Sequence, residues 1–217
     1  MIEILKNFIT LEEIRTIKDF YQNHTFERQG NHPDDASKLQ WANSKLENSI
    51  LQNVLHNKIV DLIGINYTIS QGCGVYQRCY IPFGLHTDSK QRVDPNRKIL
   101  ESESEGKALL IPLDQAPEFN TVFWSVKFKN DQEKMASFTE FINLPSNQVK
   151  NTKIGGDYDL DFAWADPARK LFNHYDVEGV FNWRIGDAAI WDRNHLHAAS
   201  DFTKKHPYKD AITFFFE

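Results

Sequence analysis

The stretch GDAAIWDRNHLHAAS, Gly186–Ser200, and the closing run KDAITFFF, Lys209–Phe216, decide how this chain is read. Asp187 to Trp191 and Asp210 to Phe216 are short runs of small, branched and aromatic residues bounded by polar turns, so each reads as a strand. Toward the N-terminus, Thr121–Phe128, Lys107–Leu113, Val75–Leu85 (interrupted at Pro82–Gly84) and Asn66–Ser70 have the same character. Loops separate these runs, which favours an antiparallel sheet or sandwich over βαβ units. Two helices precede them. Thr10 and Glu13 form a capping box, Ile9 can staple onto Ile14, and Leu11, Ile14, Ile17, Phe20 and Tyr21 recur at helical spacing. Ser44 and Glu47 form a second box, with Leu46, Ile50, Val54, Leu55 and Ile59 along one face and Gly64 as the C-terminal cap. A further helical insertion fits Asp131–Ile142. The expected fold class is α+β, mainly β, with N-terminal helices buttressing one sheet, and residues 1–217 are read as a single domain.

Composition narrows the function. The chain has 217 residues, of which 41% are hydrophobic and 13% aromatic, enough apolar content for a packed core and too much for a disordered chain. The net charge of −5 lacks the basic footprint of a nucleic-acid binder. No apolar run reaches the ~20 residues of a membrane-spanning helix, and the start MIEILK lacks a secretory leader's pattern. Only Cys73 and Cys79 are present, the usage of a reducing compartment, so a cytoplasmic protein is expected. Neither sits at zinc-ligand spacing, and GGDYDLD, Gly155–Asp161, lacks the glycine and glutamate of a calcium loop. The polar stretch Ser89–Gly106 reads as a charged loop, a solvated excursion or a flap beside a site.

The chemistry lies in three places. In HTD, His86–Asp88, an extended backbone aims His86 and Asp88 the same way, so both can reach one metal. A histidine from a distant strand, His195 or His197, would complete two imidazoles and one carboxylate, a facial set suited to non-haem Fe(II) and O₂. The two histidines share strand parity, so periodicity does not choose between them. Lys209, Ala211, Thr213 and Phe215 share one face of the last strand. A lysine entering that aromatic strand is costly unless it meets an anion, and a dicarboxylate at the metal could supply one. Tyr76, Arg78, Tyr80 and His86 also share parity, so the two phenols are expected on the metal side, where they can hydrogen-bond a carboxylate.

These pieces together resemble the Fe(II)/2-oxoglutarate-dependent dioxygenase superfamily, in the style of its prolyl-hydroxylase-like branch. The opening IEILKNFITLEEIRTIKDF resembles the strand and helix that often precede that core. The resemblance implies a double-stranded β-helix, a jelly-roll with the metal at its mouth. It implies Fe(II) on His86, Asp88 and His197, the last favoured because small residues follow it, and 2-oxoglutarate as co-substrate. Lys209 would hold the distal carboxylate where many relatives use arginine, with Tyr80 and Tyr76 as further cofactor contacts. By the same resemblance the carboxylate of Asp88 implies hydroxylation or a related oxidation rather than halogenation. The implied reaction consumes O₂ and oxidises an amino acid, peptide or small metabolite, with no nucleic-acid or membrane partner and with the oligomeric state left open. Two other readings stand beside it: a non-catalytic jelly-roll module binding a metal or ligand, and a Zn²⁺ hydrolase, which lacks the usual H-E-x-x-H helix.

Overall fold

A computed structural model of the chain describes residues 2–23, 38–42, 50–63, 74–80, 82, 85–88, 90–93, 99–103, 106–127 and 175–216. In chain order its elements are β1 (Glu3–Leu5), α1 (Leu11–Asn23), β2 (Lys38–Ala42), α2 (Ile50–Ile63), β3 (Val75–Cys79), β4 (Lys90–Val93), β5 (Ile99–Glu103), β6 (Lys107–Pro112), β7 (Asn120–Lys127), β8 (Val177–Asn182), β9 (Ala188–Asp192), β10 (His195–Ala199) and β11 (Lys209–Phe216). Six strands form one antiparallel sheet in the order β1-β9-β6-β11-β3-β2, and three form a second in the order β10-β7-β8.

The larger sheet separates two cores by strand alternation. Tyr76, Leu109, Ile111, Ile190, Ile212, Phe214 and Phe216 face Ile14, Ile17 and Tyr21 of α1 and Leu51, Leu55 and Ile59 of α2. The intervening residues, Cys79, Ala108, Leu110, Ala189, Trp191 and Ala211, face the other way, toward Phe123, Phe181, Trp183 and Phe202. Both helices therefore cover one face of one sheet, as the α+β pattern predicts. Helix α1 begins as its sequence dictates. The Thr10 amide donates to Glu13 Oε2 at 2.7 Å and the Glu13 amide to Thr10 Oγ1 at 3.2 Å, while Ile9 and Ile14 are buried together. Leu11 departs from the expected apolar face and is 60% exposed.

Other expectations are corrected. Ser89–Gly106 is not a plain loop, because β4 and β5 pair within it as a separate two-stranded ribbon. Its backbone register places Lys90 opposite Glu103 and Arg92 opposite Glu101. The strand expected over Val75–Leu85 ends at Cys79. β2 and β8 were not anticipated. The second capping box, Gly64, the strand Asn66–Ser70, the insertion Asp131–Ile142 and the acidic run Gly155–Asp161 lie outside the described residues. Among the described residues no helix is long and apolar enough to cross a membrane.

Candidate metal centre and its cavity

His86 and His197 come from sequence positions far apart and are held opposite each other by main-chain bonds. The His86 amide donates to the His197 carbonyl, and the His197 amide to the His86 carbonyl, each at 2.9 Å. Their rings lie 4.2 Å apart. Asp88 Oδ1 is 3.7 Å from His86 Nε2, and Asp88 Oδ2 is 3.4 Å from His197 Nε2. One ligand atom from each of His86, Asp88 and His197 lies within 4.8 Å of the others. His197 Nδ1 is 2.9 Å from the His195 carbonyl, which only accepts, so Nδ1 carries the proton and Nε2 keeps its lone pair for a metal.

The carboxylate is positioned as firmly. The Asp88 amide donates to the Arg193 carbonyl at 2.8 Å, and Arg193 Nε and a terminal guanidinium nitrogen donate back to the Asp88 carbonyl at 3.1 and 2.8 Å. Trp191 Nε1 donates to Asp88 Oδ2 at 3.2 Å. The Arg193 amide in turn donates to the carbonyl of Gly106, whose φ of +113° and close approach to the Phe216 carbonyl leave no room for a side chain. Arg193 and Trp191 were missed as site residues. The available signal was their place inside the histidine-bearing stretch, with Trp191 on the inward parity of β9.

The triad opens on a cavity between the two sheets that is open to solvent. Its far end holds Lys209, Trp183 and Thr121; Gln77, Thr213 and Phe215 line another wall. Lys209, Ala211, Thr213 and Phe215 all face it, as the parity of the last strand predicts. Lys209 is 1% exposed, yet its Nζ has no hydrogen-bond partner among the described residues. The ammonium sits 3.8 Å from the centre of the Trp183 ring and 5.0 Å from that of Phe202. Burial among these aromatics pulls its pKa down to about 8, with only Cys79, directly across on β3, opposing the shift.

Tyr76 and Tyr80 do not join this site. Tyr76 points to the helix side, where it stacks on Tyr21 and donates its hydroxyl to Asp210 Oδ2 at 2.7 Å; burial and that carboxylate push its pKa far up. Arg78 makes a two-pronged bond to the same Asp210, at 2.9 and 2.7 Å, and lies over the Tyr208 ring. Tyr80 packs edge-on to Tyr208 and is absent from the cavity wall. The parity argument fails because the chain changes sheets between Cys79 and His86: β3 pairs with β11, whereas His86 pairs with β10. Gln77 and Cys79 are the residues of β3 that face the cavity. His195 lies beyond a bulge, 0% exposed, with Nε2 against the Trp124 carbonyl at 2.8 Å and Glu178 at 2.9 Å, and outside the cavity wall. Burial lowers its pKa, with Glu178 pulling the other way.

No protein-family profile matches the chain, and no curated protein matches it in sequence. Solved structures match its shape. The non-heme alpha ketoglutarate dependent epimerase SnoN of nogalamycin biosynthesis aligns with a TM-score of 0.56 at 10% identity, covering 100% of this chain and 77% of that one. HygX from Streptomyces hygroscopicus, solved with nickel and 2-oxoglutarate bound, aligns at 0.55 and 10% identity, covering 99% and 82%. The alpha ketoglutarate dependent carbocyclase SnoK aligns at 0.54 and 12% identity, covering 99% and 78%. The chain thus has the fold of these structures, a mostly β architecture of antiparallel sheets with its two described helices on one face.

Proposed function

We propose that this protein is an Fe(II)- and 2-oxoglutarate-dependent oxygenase, a single catalytic unit over residues 1–217 whose two sheets form a double-stranded β-helix. The observation that carries the reading is the pairing, across one cavity, of a metal-competent triad with a buried lysine whose ammonium has no hydrogen-bond partner among the described residues. Two imidazoles and one carboxylate suit non-haem Fe(II) and leave coordination positions for a chelating keto acid and O₂. Lys209 suits the distal carboxylate, since burying an unpaired cation is costly and an anionic ligand offsets that cost. Fe(II) would be held by His86, Asp88 and His197, and 2-oxoglutarate by Lys209. Bound together they supply the oxidising power, with 2-oxoglutarate and O₂ going to succinate and CO₂ while a C–H bond of the substrate becomes C–OH.

The chain's own residues account for the rest. The His195 carbonyl fixes the tautomer of His197, Trp191 and Arg193 hold Asp88, and the aromatic wall around Lys209 limits water there. Nickel and 2-oxoglutarate in HygX, and iron with alpha ketoglutarate in SnoN, support this cofactor assignment. Hygromycin B in HygX and a nogalamycin compound in SnoN favour a small molecule over a peptide as substrate. The prolyl-hydroxylase-like motif order supports hydroxylation as the outcome, and epimerisation and ring closure by SnoN and SnoK are the outcomes against which it is to be tested. The test is succinate formation from Fe(II), 2-oxoglutarate and O₂ across a panel of amino acids, peptides and metabolites. The proposal requires succinate that depends on His197 and rises with one substrate class; no succinate under any condition refutes it.

A further inference from the structure

We infer that Cys79 and Lys209 form a redox-reversible covalent pair: peroxide converts the Cys79 thiol to a sulfenic acid, and the Lys209 amine captures it as a sulfur–nitrogen link. The link itself is independent of the 2-oxoglutarate reading above. Its consequence, a lysine withdrawn from its anion, rests on that reading.

The fold brings the two groups together. Lys209 on β11 and Cys79 on β3 are direct cross-strand partners, so their Cβ atoms lie about 4.5–5.5 Å apart on one side of the sheet. Both side chains line the cavity, and both are buried, Cys79 at 3% exposed and Lys209 at 1%. The ammonium has no hydrogen-bond partner among the described residues, and Cys79 is the one ionisable group that acts on its charge. The rings of Trp183, Phe202 and Phe119 that surround the ammonium offer no rival nucleophile. The cavity is open to solvent, which gives a molecule as small as peroxide a route to this wall.

A cation beside a thiol favours the thiolate, the form that attacks peroxide. The sulfur attacks one peroxide oxygen and the O–O bond breaks. The departing hydroxide takes a proton from the Lys209 ammonium and leaves as water. Sulfur has then lost two electrons, peroxide has been reduced, and the pair is a sulfenic acid beside a neutral amine. The same proton transfer thus makes the nitrogen a nucleophile as its neighbour becomes an electrophile. The nitrogen lone pair forms the S–N bond, the S–O bond breaks, and hydroxide leaves with an amine proton as a second water. Thiolate, ammonium and one peroxide therefore give one S–N link and two waters. Dithiothreitol reverses it: one thiol attacks the sulfur and releases the amine, and the other resolves the mixed disulfide.

The test uses the full chain carrying Cys73→Ser, which leaves Cys79 as its single cysteine. The protein is loaded with Zn(II), which has no redox chemistry of its own, and treated with a few equivalents of hydrogen peroxide. It is then unfolded in iodoacetamide and weighed by mass spectrometry. The expected product is lighter than the starting chain by two hydrogen atoms and takes up no alkyl group. It yields a fragment joining residues 79 and 209, and dithiothreitol returns it to an alkylatable thiol. Lys209→Met lacks the amine, so it should form no link and should carry Cys79 on to the sulfinic acid. With peroxide removed, calorimetry on the linked Zn(II) protein should show 2-oxoglutarate bound about thirtyfold or more weakly, with recovery after dithiothreitol. If Cys79 stays reduced, runs on to sulfinic acid as in Lys209→Met, or links to any residue other than Lys209, the inference is wrong and the oxygenase reading stands. If the link forms and 2-oxoglutarate binds as tightly as before, the covalent pair stands and Lys209 is not the anchor of that reading.

Discussion

Replacing Lys209 by methionine should separate stability from co-substrate binding. The two side chains have similar length, and the charge is what changes. A pKa pulled from the ordinary 10.5 to about 8 means that the protonated form costs about 3 kcal/mol inside the fold. That is the penalty carried by the ligand-free protein near neutral pH, with the indole face at 3.8 Å among the surroundings of the charge, and Lys209→Met removes it. For a chain of this length about 3 kcal/mol is a rise in melting temperature of roughly 6–12 °C. The sign with pH follows: the penalty is full below about pH 8, where the lysine is charged in both states. It shrinks as pH rises from 8 toward 10.5, where the folded lysine is neutral and the unfolded one still protonated. The gain from Lys209→Met should shrink over the same interval. The same change should weaken 2-oxoglutarate by about thirtyfold or more, since it leaves a buried carboxylate without its cation. Thermal melts at pH 7 and pH 9.5, with and without 2-oxoglutarate, read both effects. A variant that melts lower than wild type without ligand, or binds 2-oxoglutarate equally well, refutes the reasoning.

Four further outcomes follow from the geometry. His197→Ala should abolish binding of Mn(II) or Fe(II) in a calorimetric titration. His195→Ala should keep metal affinity within about tenfold, because His195 serves His197 through its main-chain carbonyl, while lowering the melting temperature as a buried ring is lost. Tyr76→Phe should leave the 2-oxoglutarate constant within about twofold while costing ~1–2 kcal/mol in urea unfolding, since the lost bond is to Asp210 on the helix side. The affinity for 2-oxoglutarate should be flat below about pH 8 and fall up to tenfold per pH unit above it as the free Lys209 loses its proton; a flat profile to pH 9.5 would remove Lys209 from the binding step.

The sequence carried the parts of this site that depend on local rules. The capping box at Thr10, the alternation of β11 and the two-apart spacing of His86 and Asp88 each follow from the backbone's own period, and each recurs in the structure. Parity failed where the chain left one sheet for the other, between Cys79 and His86, because alternation is counted within a strand and is reset by a change of sheet. That reset put Tyr76 and Arg78 on the helix side and Gln77 and Cys79 on the cavity. The contacts of Arg193 and Trp183 were illegible for another reason. They depend on partners 105 and 26 positions away in sequence, Asp88 and Lys209, and no local pattern records those pairings. The two-stranded ribbon within Ser89–Gly106 lay hidden under a high charge density that reads as solvated loop.

The central claim is that His86, Asp88 and His197 hold a metal on which 2-oxoglutarate chelates, with Lys209 at the far end. Its most direct measurement is an anaerobic titration of the Fe(II)-loaded protein with 2-oxoglutarate, followed by metal-to-ligand charge-transfer absorbance. The account predicts a saturable visible band with one 2-oxoglutarate per chain, absent in His197→Ala and shifted to higher concentration in Lys209→Met. A protein that binds Fe(II) yet develops no band at any 2-oxoglutarate concentration would contradict it.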